Sequence, residues 1–338
     1  MGRRDVIAIG GSLGLVDAVK QLLRDLPADF DAAVFVVIHV GASGKDLLAG
    51  IFNDRAAIPV RTATDGEPVQ PGRAYVAPAD NHLLVMDGTV RLGRGPRENL
   101  ARPAVDPLFR SVGMSFGPGA IGLILTGMLN DGAAGLADLK RCGGVAVVQN
   151  PADAVAPDMP LGALSAAEVD YRAPLSDLPS LLAKLAGEEA GQAVPVPDDV
   201  RLEVDIALGR RADPAKISVI ADPVQLSCPA CGGVLSQVRR SPPLRFRCQV
   251  GHAFTSSILA ETSENTVDEA MRTALRIIEE RVTLSEKMAD DARRSGLDAA
   301  EAAYRRRAEE AREHAEVLRR TLIEKKAAPP ADEVETAE

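Results

Sequence analysis

Over residues 5 to about 185 the sequence alternates short β-branched and aliphatic runs with amphipathic segments, the pattern that a parallel sheet covered by helices on both faces demands. Val6 to Ile9, Val34 to Ile38, Ala74 to Ala77, Ile121 to Leu125 and Val145 to Gln149 are the expected strands. Leu15 to Leu26 sets Val16, Val19, Leu22, Leu23 and Leu26 on one face before Pro27 stops it. Ala133 to Cys142 repeats Leu136 and Leu139 before Gly143 and Gly144, so both segments are expected helices. The fold class that follows is α/β, a doubly wound and mainly parallel sheet over residues 1–185.

The chain has 338 residues, and at roughly 150 per domain that leaves room for more. Residues 186–223 carry Glu188, Glu189, Pro195, Pro197, Asp198 and Asp199 with little apolar periodicity, and read as an acidic linker. Residues 224–258 form a small Cys/His segment. Residues 259–326 repeat apolar positions (Val267, Met271, Leu275, Ile278, Val282; then Tyr304, Ala308, Ala311, Ala315, Leu318, Leu322) around a break at Arg294 to Leu297. This predicts an antiparallel helical pair. The tail, 327–338, is expected to be disordered.

Composition excludes several function classes. Aromatics are 3% with no Trp, and the net charge is −9. Nucleic-acid binding needs concentrated Lys and Arg or stacking rings, so it is not expected. Four Cys in this length argue against a disulfide framework and for a reducing compartment. No apolar stretch approaches the roughly 20 residues of a membrane helix, so no membrane insertion and a cytoplasmic location are expected.

Directly after the first strand stands Gly10-Gly11-Ser12-Leu13-Gly14. A dinucleotide loop would need Gly where Ser12 stands and an acidic residue closing the next strand, but that strand ends in His39. As G-x-S-x-G the match is complete: a sharp strand-to-helix turn exposes a serine oxygen, with backbone N–H groups such as that of Leu13 facing a developing oxyanion. The alternative is a tight turn with a helix-capping serine. A serine nucleophile needs a base, and of four His only His39 lies at the same carboxyl edge. His82 reads as an exposed or capping residue, His252 belongs with the cysteines and His314 lies in a charged helix. Asp131, in Asn130-Asp131-Gly132 after the Ile121 strand, completes a Ser, His, Asp set at three strand ends, or is simply an Asn-Asp-Gly turn. That order differs from the Ser, Asp, His of α/β-hydrolases.

Several separated motifs occur together: Ile7-Ala8-Ile9-Gly10-Gly11-Ser12, the strand-terminal His39, Asp65-Gly66-Glu67, Pro71-Gly72-Arg73-Ala74-Tyr75-Val76-Ala77-Pro78, Arg102-Pro103-Ala104-Val105-Asp106, and Leu125-Thr126-Gly127-Met128 followed by Asn130 to Gly135. In this order they resemble the catalytic domain of CheB-type chemotaxis methylesterases, the protein-glutamate methylesterases that also deamidate receptor glutamines. The resemblance implies Ser12 as nucleophile, His39 as general base, Asp131 as its partner and the Met128 backbone N–H as an oxyanion donor. It also implies a methyl-accepting chemoreceptor or similar signalling protein as partner, and no cofactor for catalysis. Leu13-Gly14-Leu15, Val40-Gly41 and Leu100-Ala101 depart from the family's usual residues, and these departures fall on the substrate groove rather than the triad. The first strand begins at residue 6, so the N-terminal receiver domain usual in the family is not expected.

Cys228-Pro229-Ala230-Cys231, then Cys248-Gln249-Val250-Gly251-His252, has the spacing of two metal knuckles. Three Cys and one His make a closed tetrahedral set, which points to structural zinc; a reduced, metal-free hairpin is the alternative. Arg239, Arg240, Arg245 and Arg247 between the knuckles read as a solvated hairpin, and Cys142 as a buried, inert thiol. The helical pair is expected to support self-association or partner docking, or to pack on the catalytic domain. The leading function is a serine hydrolase acting on glutamyl methyl esters. A catalytically weak adaptor and an esterase for another substrate are the alternatives.

Overall fold

The computed structural model describes residues 2–39, 47–210 and 214–327. Val40-Gly41 and nearly all of the expected tail lie outside the described residues. The first part of the chain runs β1 (Val6–Gly11), α1 (Leu15–Asp25), β2 (Ala33–Ile38), α2 (Leu48–Asn53), β3 (Val60–Thr62), β4 (Ala74–Val76), β5 (His82–Met86), β6 (Thr89–Gly93) and α3 (Val105–Phe116). It continues with β7 (Ala120–Ile124), α4 (Ala133–Arg141), β8 (Val145–Gln149), α5 (Asp158–Ala166), β9 (Tyr171–Ala173) and α6 (Leu178–Gly187). Then follow α7 (Asp198–Ala207), α8 (Pro214–Ile220), β10 (Ala221–Ser227), β11 (Val234–Val238), β12 (Arg245–Cys248), β13 (Ala253–Thr255), α9 (Ser256–Arg294) and α10 (Asp298–Ala327).

Seven strands form a sheet in the order β3-β4-β2-β1-β7-β8-β9, with every neighbouring pair parallel. Its central strands are buried on both faces, which is why they read as continuous apolar runs rather than as alternating ones. Alternate side chains feed two cores. Ile7, Ile9, Val34, Val36 and Leu123 pack with Leu22 and Leu23 of α1 and Leu182 of α6, whereas Ala8, Phe35, Val37 and Ile124 pack with α3, α4 and α5. The expected doubly wound architecture is therefore present. β1 can approach α3 closely only because Gly10 lacks a side chain: a Cβ there would lie 2.1 Å from Val105 Cγ1.

The acidic linker expected over 186–223 is not what forms. Residues 198–207 and 214–220 are helical, and Val200, Glu203, Val204, Ile206 and Ala207 of α7 are buried. The spacing of those positions was hidden by the flanking acids and prolines. The Cys/His segment is likewise not separate, since residues 1–259 make one compact unit and 260–338 a second. Its strands β10 to β13 form an antiparallel sheet over a small core of Leu235, Phe246, Phe254, Ile258 and Leu259.

Arg245 and Arg247, read from the sequence as solvated, are buried. Arg247 bonds Glu98 at 3.1 Å, pairs closely with Glu203, and donates to the Gly251 carbonyl at 2.6 Å. Arg245 pairs with Glu203 at 3.2 Å, and Arg110 of α3 holds Glu98 at 2.6 Å and Asp138 at 3.0 Å. Glu203 of α7 is thus the bridge between the antiparallel sheet and the parallel one. Arg239, by contrast, is exposed and pairs with Asp222.

In the second unit α9 and α10 form a hairpin with Ala289, Ala292, Ala308, Ala311 and Ala315 buried in the seam. Arg312–Glu286 and Arg319–Glu279 pairs flank it. No helix among the described residues is long and apolar enough to cross a membrane.

Removing one partner from a buried ion pair strands the other, which costs about 3–5 kcal/mol. Glu203→Ala should therefore lower the melting temperature of the first unit on the order of 10 °C. Calorimetry checks this, and a shift under 2 °C would mean that the cluster does not hold the two sheets together.

Candidate active site

Ser12, His39 and Asp131 stand beyond the carboxyl ends of β1, β2 and β7, three adjacent strands with β1 in the middle. Chain order reverses across β1, so the serine turn lies at the topological switch point, where open α/β sheets bind ligands. The turn is pinned by Ser12 N donating to the Thr126 carbonyl at 2.9 Å and Leu15 N to the Ser12 carbonyl at 3.1 Å. Thr126 Oγ1 also donates to the Leu13 carbonyl at 2.9 Å. The loop after β7 comes this close because residue 127 is glycine: a Cβ there would lie 2.8 Å from Ser12 N and 2.2 Å from Met159 Sδ.

His39 Nε2 lies 2.7 Å from Asp131 Oδ2. The same oxygen accepts from Val105 N at 2.7 Å, and Oδ1 accepts from Asn99 Nδ2 at 2.8 Å and Asp106 N at 3.5 Å. Val105 opens α3, whose N-cap residue, Ala104, offers no side-chain cap. Asp131 therefore caps α3 from a different loop, and the positive end of the helix favours its charged form. Burial opposes that charge, but the His39 bond, the Val105 N–H and the Asn99 amide outweigh it and hold the carboxyl below its ordinary pKa.

His39 is half-buried. Burial pulls its pKa down, yet the bond and charge of Asp131, with Asp106 behind it, more than compensate, and the net shift is upward. With Nε2–H given to Asp131, Nδ1 is the nitrogen left to take a proton. Among the described residues no hydrogen bond joins Ser12 Oγ to His39. The N–H groups of Leu13 and Met128 donate to nothing among the described residues, whereas Ser12 N is committed to Thr126. A serine hydroxyl, an imidazole oriented by a carboxylate, and two amides with no partner among the described residues are the kinds of group that acyl transfer uses.

Sequence reasoning missed the groups that hold Asp131. Asn99 and Val105 flank the Arg102-Pro103-Ala104 run, and only the fold carries them to the β7 loop. Asp106 accepts from Gly135 N at 2.6 Å, and burial, opposed by Arg110 but aided by Asp131 and Glu98, pushes it up to about 7. His82 is corrected: it is fully buried at the start of β5, with Nε2 3.0 Å from the Pro96 carbonyl and Nδ1 accepting from Ala104 N at 3.3 Å. It supports the α3 terminus rather than facing solvent. Cys142 is buried at the end of α4, and burial pushes its thiol up to about 11.

The donor atoms of Cys228, Cys231, Cys248 and His252 lie within 4.8 Å of one another and could hold a metal ion. Metal–sulfur and metal–nitrogen lengths of about 2.3 and 2.0 Å put tetrahedral S···S edges near 3.8 Å and S···N edges near 3.5 Å. The Cys231–Cys248 sulfurs are 3.7 Å apart, and His252 Nδ1 is 3.8 and 3.5 Å from the sulfurs of Cys228 and Cys248. The donor set fits such an ion.

The family model for CheB methylesterase matches residues 7–182, just over half of the chain. The chain belongs to the CheB methylesterase family. Protein-glutamate methylesterase/protein-glutamine glutaminase 1 of Xanthomonas euvesicatoria pv. vesicatoria is 40% identical over 187 residues, covering 54% of this chain and 52% of that protein. Protein-glutamate methylesterase/protein-glutamine glutaminase 2 of Anaeromyxobacter dehalogenans is 37% identical over 183 residues, 54% of each. This chain thus spans about half the length of the curated relatives it matches. The crystal structure of the Thermotoga maritima CheB methylesterase catalytic domain superposes with a TM-score of 0.52 at 31% identity, covering 55% of this chain and 99% of that one. The match ends near residue 182, so α7, the Cys/His sheet and the helical hairpin lie beyond the CheB domain.

Because Asp131 is the main group raising the His39 pKa, Asp131→Asn should lower it. NMR titration of the imidazole checks the direction, and an unchanged pKa would mean that the pair does not persist in solution.

Proposed function

We propose that this CheB-family chain is a serine hydrolase that removes methyl groups from glutamyl methyl esters of a methyl-accepting chemoreceptor or similar signalling protein, and that it deamidates glutamines at the same site. The observation that carries the reading is the His39–Asp131 pair at 2.7 Å beside the Ser12 turn at the switch point. The curated relatives' printed activities support the substrate.

In this reading Ser12 Oγ attacks the ester carbonyl carbon as its proton passes to His39 Nδ1. The imidazolium is stabilised by Asp131, whose carboxylate stays charged at the α3 terminus. The N–H groups of Leu13 and Met128 receive the oxyanion. The carbon–methoxy bond breaks and methanol leaves with the proton from His39. Water then gives a proton to His39 and attacks the acyl-serine, which releases the glutamate carboxylate and restores the Ser12 hydroxyl. For a glutamine the leaving group is ammonia. Leu13, Met128 and Val155 are exposed, and Val155 packs against Gly14, which gives the mouth an apolar lip suited to a helical receptor surface.

Ser12→Ala should lower methanol release from a methyl-labelled receptor by at least about a thousandfold, and release at the wild-type rate would sink the reading. A fluorophosphonate probe should label wild type at Ser12 and fail on His39→Ala.

The ion at Cys228, Cys231, Cys248 and His252 we assign as structural zinc: four protein donors leave no open position, and two of them, Cys228 and Cys248, are part of the small core with Leu235, Phe246 and Phe254. Elemental analysis should find one zinc per chain, lost in Cys228→Ser together with order in β10 to β13. A metal-free chain with an intact sheet would rule this out.

A further inference from the structure

Asn99 makes contact with both the active-site carboxylates and the Cys/His sheet. It is buried, with φ 51°, a backbone conformation that Asn tolerates better than most residues. Its N–H donates to the Ala253 carbonyl at 2.8 Å, and its Oδ1 accepts from Thr255 N at 3.0 Å. On the other side Nδ2 donates to Asp131 Oδ1 at 2.8 Å and Asp106 Oδ2 at 3.2 Å. The neighbours reinforce the join: Glu98 bridges to Ala253, Ala253 N donates to the Arg97 carbonyl at 3.4 Å, and Thr255 Oγ1 donates to Asn130 Oδ1 at 2.5 Å. Residues 97–99 thus dock along β13.

The amide of an asparagine has two faces of opposite polarity, and here only one orientation works. Thr255 N is a donor, so it can meet only the Asn99 oxygen, which forces the NH2 group toward the two carboxylates. Turned the other way, a carbonyl would face the charged Asp131 carboxylate in a buried site. β13 therefore dictates which way the amide points, and the amide in turn holds Asp131 Oδ1 so that Oδ2 faces His39. β13 begins at the residue after His252, and Cys248 N donates to the His252 carbonyl at 3.0 Å, so the metal knuckle adjoins the strand's first residue.

We infer that Asn99 is a positioning residue for Asp131, set in its working orientation by strand β13, and that the metal-organised Cys/His sheet is by this route a structural part of the active site. The inference rests on the serine-hydrolase reading above. A CheB domain of the kind matched over residues 7–182 here borrows its triad support from a segment that lies outside that domain.

The test uses the full chain. Asn99→Gly deletes the amide without straining the left-handed backbone. It should slow fluorophosphonate inactivation of Ser12 at pH 7 by at least about tenfold. It should also move the NMR titration midpoint of His39 to lower pH, because a mispointed Asp131 stabilises the imidazolium less, with Asp106 the other acid near the ring. Wild type stripped of zinc with a chelator should show the same two changes while the parallel sheet still melts cooperatively, and added zinc should reverse them. A wild-type His39 midpoint in stripped protein, or in a folded Asn99→Gly chain, overturns the inference. So does collapse of the whole first unit on stripping, which would make the sheet a general brace. If Asn99→Gly does not fold, the stripped wild type decides by the same midpoint. A wild-type enzyme that the probe never labels refutes the hydrolase reading instead, so the two failures are told apart.

Discussion

A carboxylate buried among hydrophobic side chains must be supplied with donors from every side or lose its charge, and Asp131 is supplied by elements far apart in sequence. The α3 terminus gives the Val105 N–H, the segment before it gives the Asn99 amide, and His39 follows directly on β2. Each of these positions a neighbour in turn. Gly10 must be small so that α3 can reach the carboxylate, and His82 is buried to hold the Ala104 N–H beneath it. The ionised state of one side chain thus organises the edge of the sheet where the serine turn stands.

A second buried charge cluster does similar work at the back of the same region. Arg110, Arg245 and Arg247 share Glu98 and Glu203 across α3, α7 and β12. Such clusters contribute less to net stability than their number of contacts implies, because each ion has lost its water. What they do provide is pairing: packed this way, β12 brings Arg245 and Arg247 to Glu203 and Glu98, which Arg110 of α3 shares. That explains how a segment with so few apolar residues is fixed against the CheB domain, and why α7, acidic as it reads, is ordered.

The α/β architecture was legible because its strands are buried on both faces, and a buried parallel strand writes itself as an unbroken apolar run. Ser12, His39 and Asp131 were legible for a related reason: each follows such a run directly, and strand ends on one edge of a parallel sheet necessarily share a rim. The Cys228, Cys231, Cys248 and His252 cluster could be found from spacing, since each half is a local turn. Arg245 and Arg247 were misread because a charged residue carries no local sign of whether a distant acid will pair with it. His82 failed the same way, and α7 was obscured by its acidic first turn.

By itself, then, the sequence indicated the parallel sheet, the place of Ser12, His39 and Asp131 on one rim, the pairing of the Cys228 and Cys248 turns and the helical hairpin, all features set by local pattern or by strand direction. Only the tertiary structure decided which groups keep Asp131 charged, which acids neutralise the buried arginines, and that β13 reaches Asn99. Those depend on burial and on pairings across long separations in the chain, such as Thr255 with Asn99, where nothing in the neighbouring residues of either partner records the other.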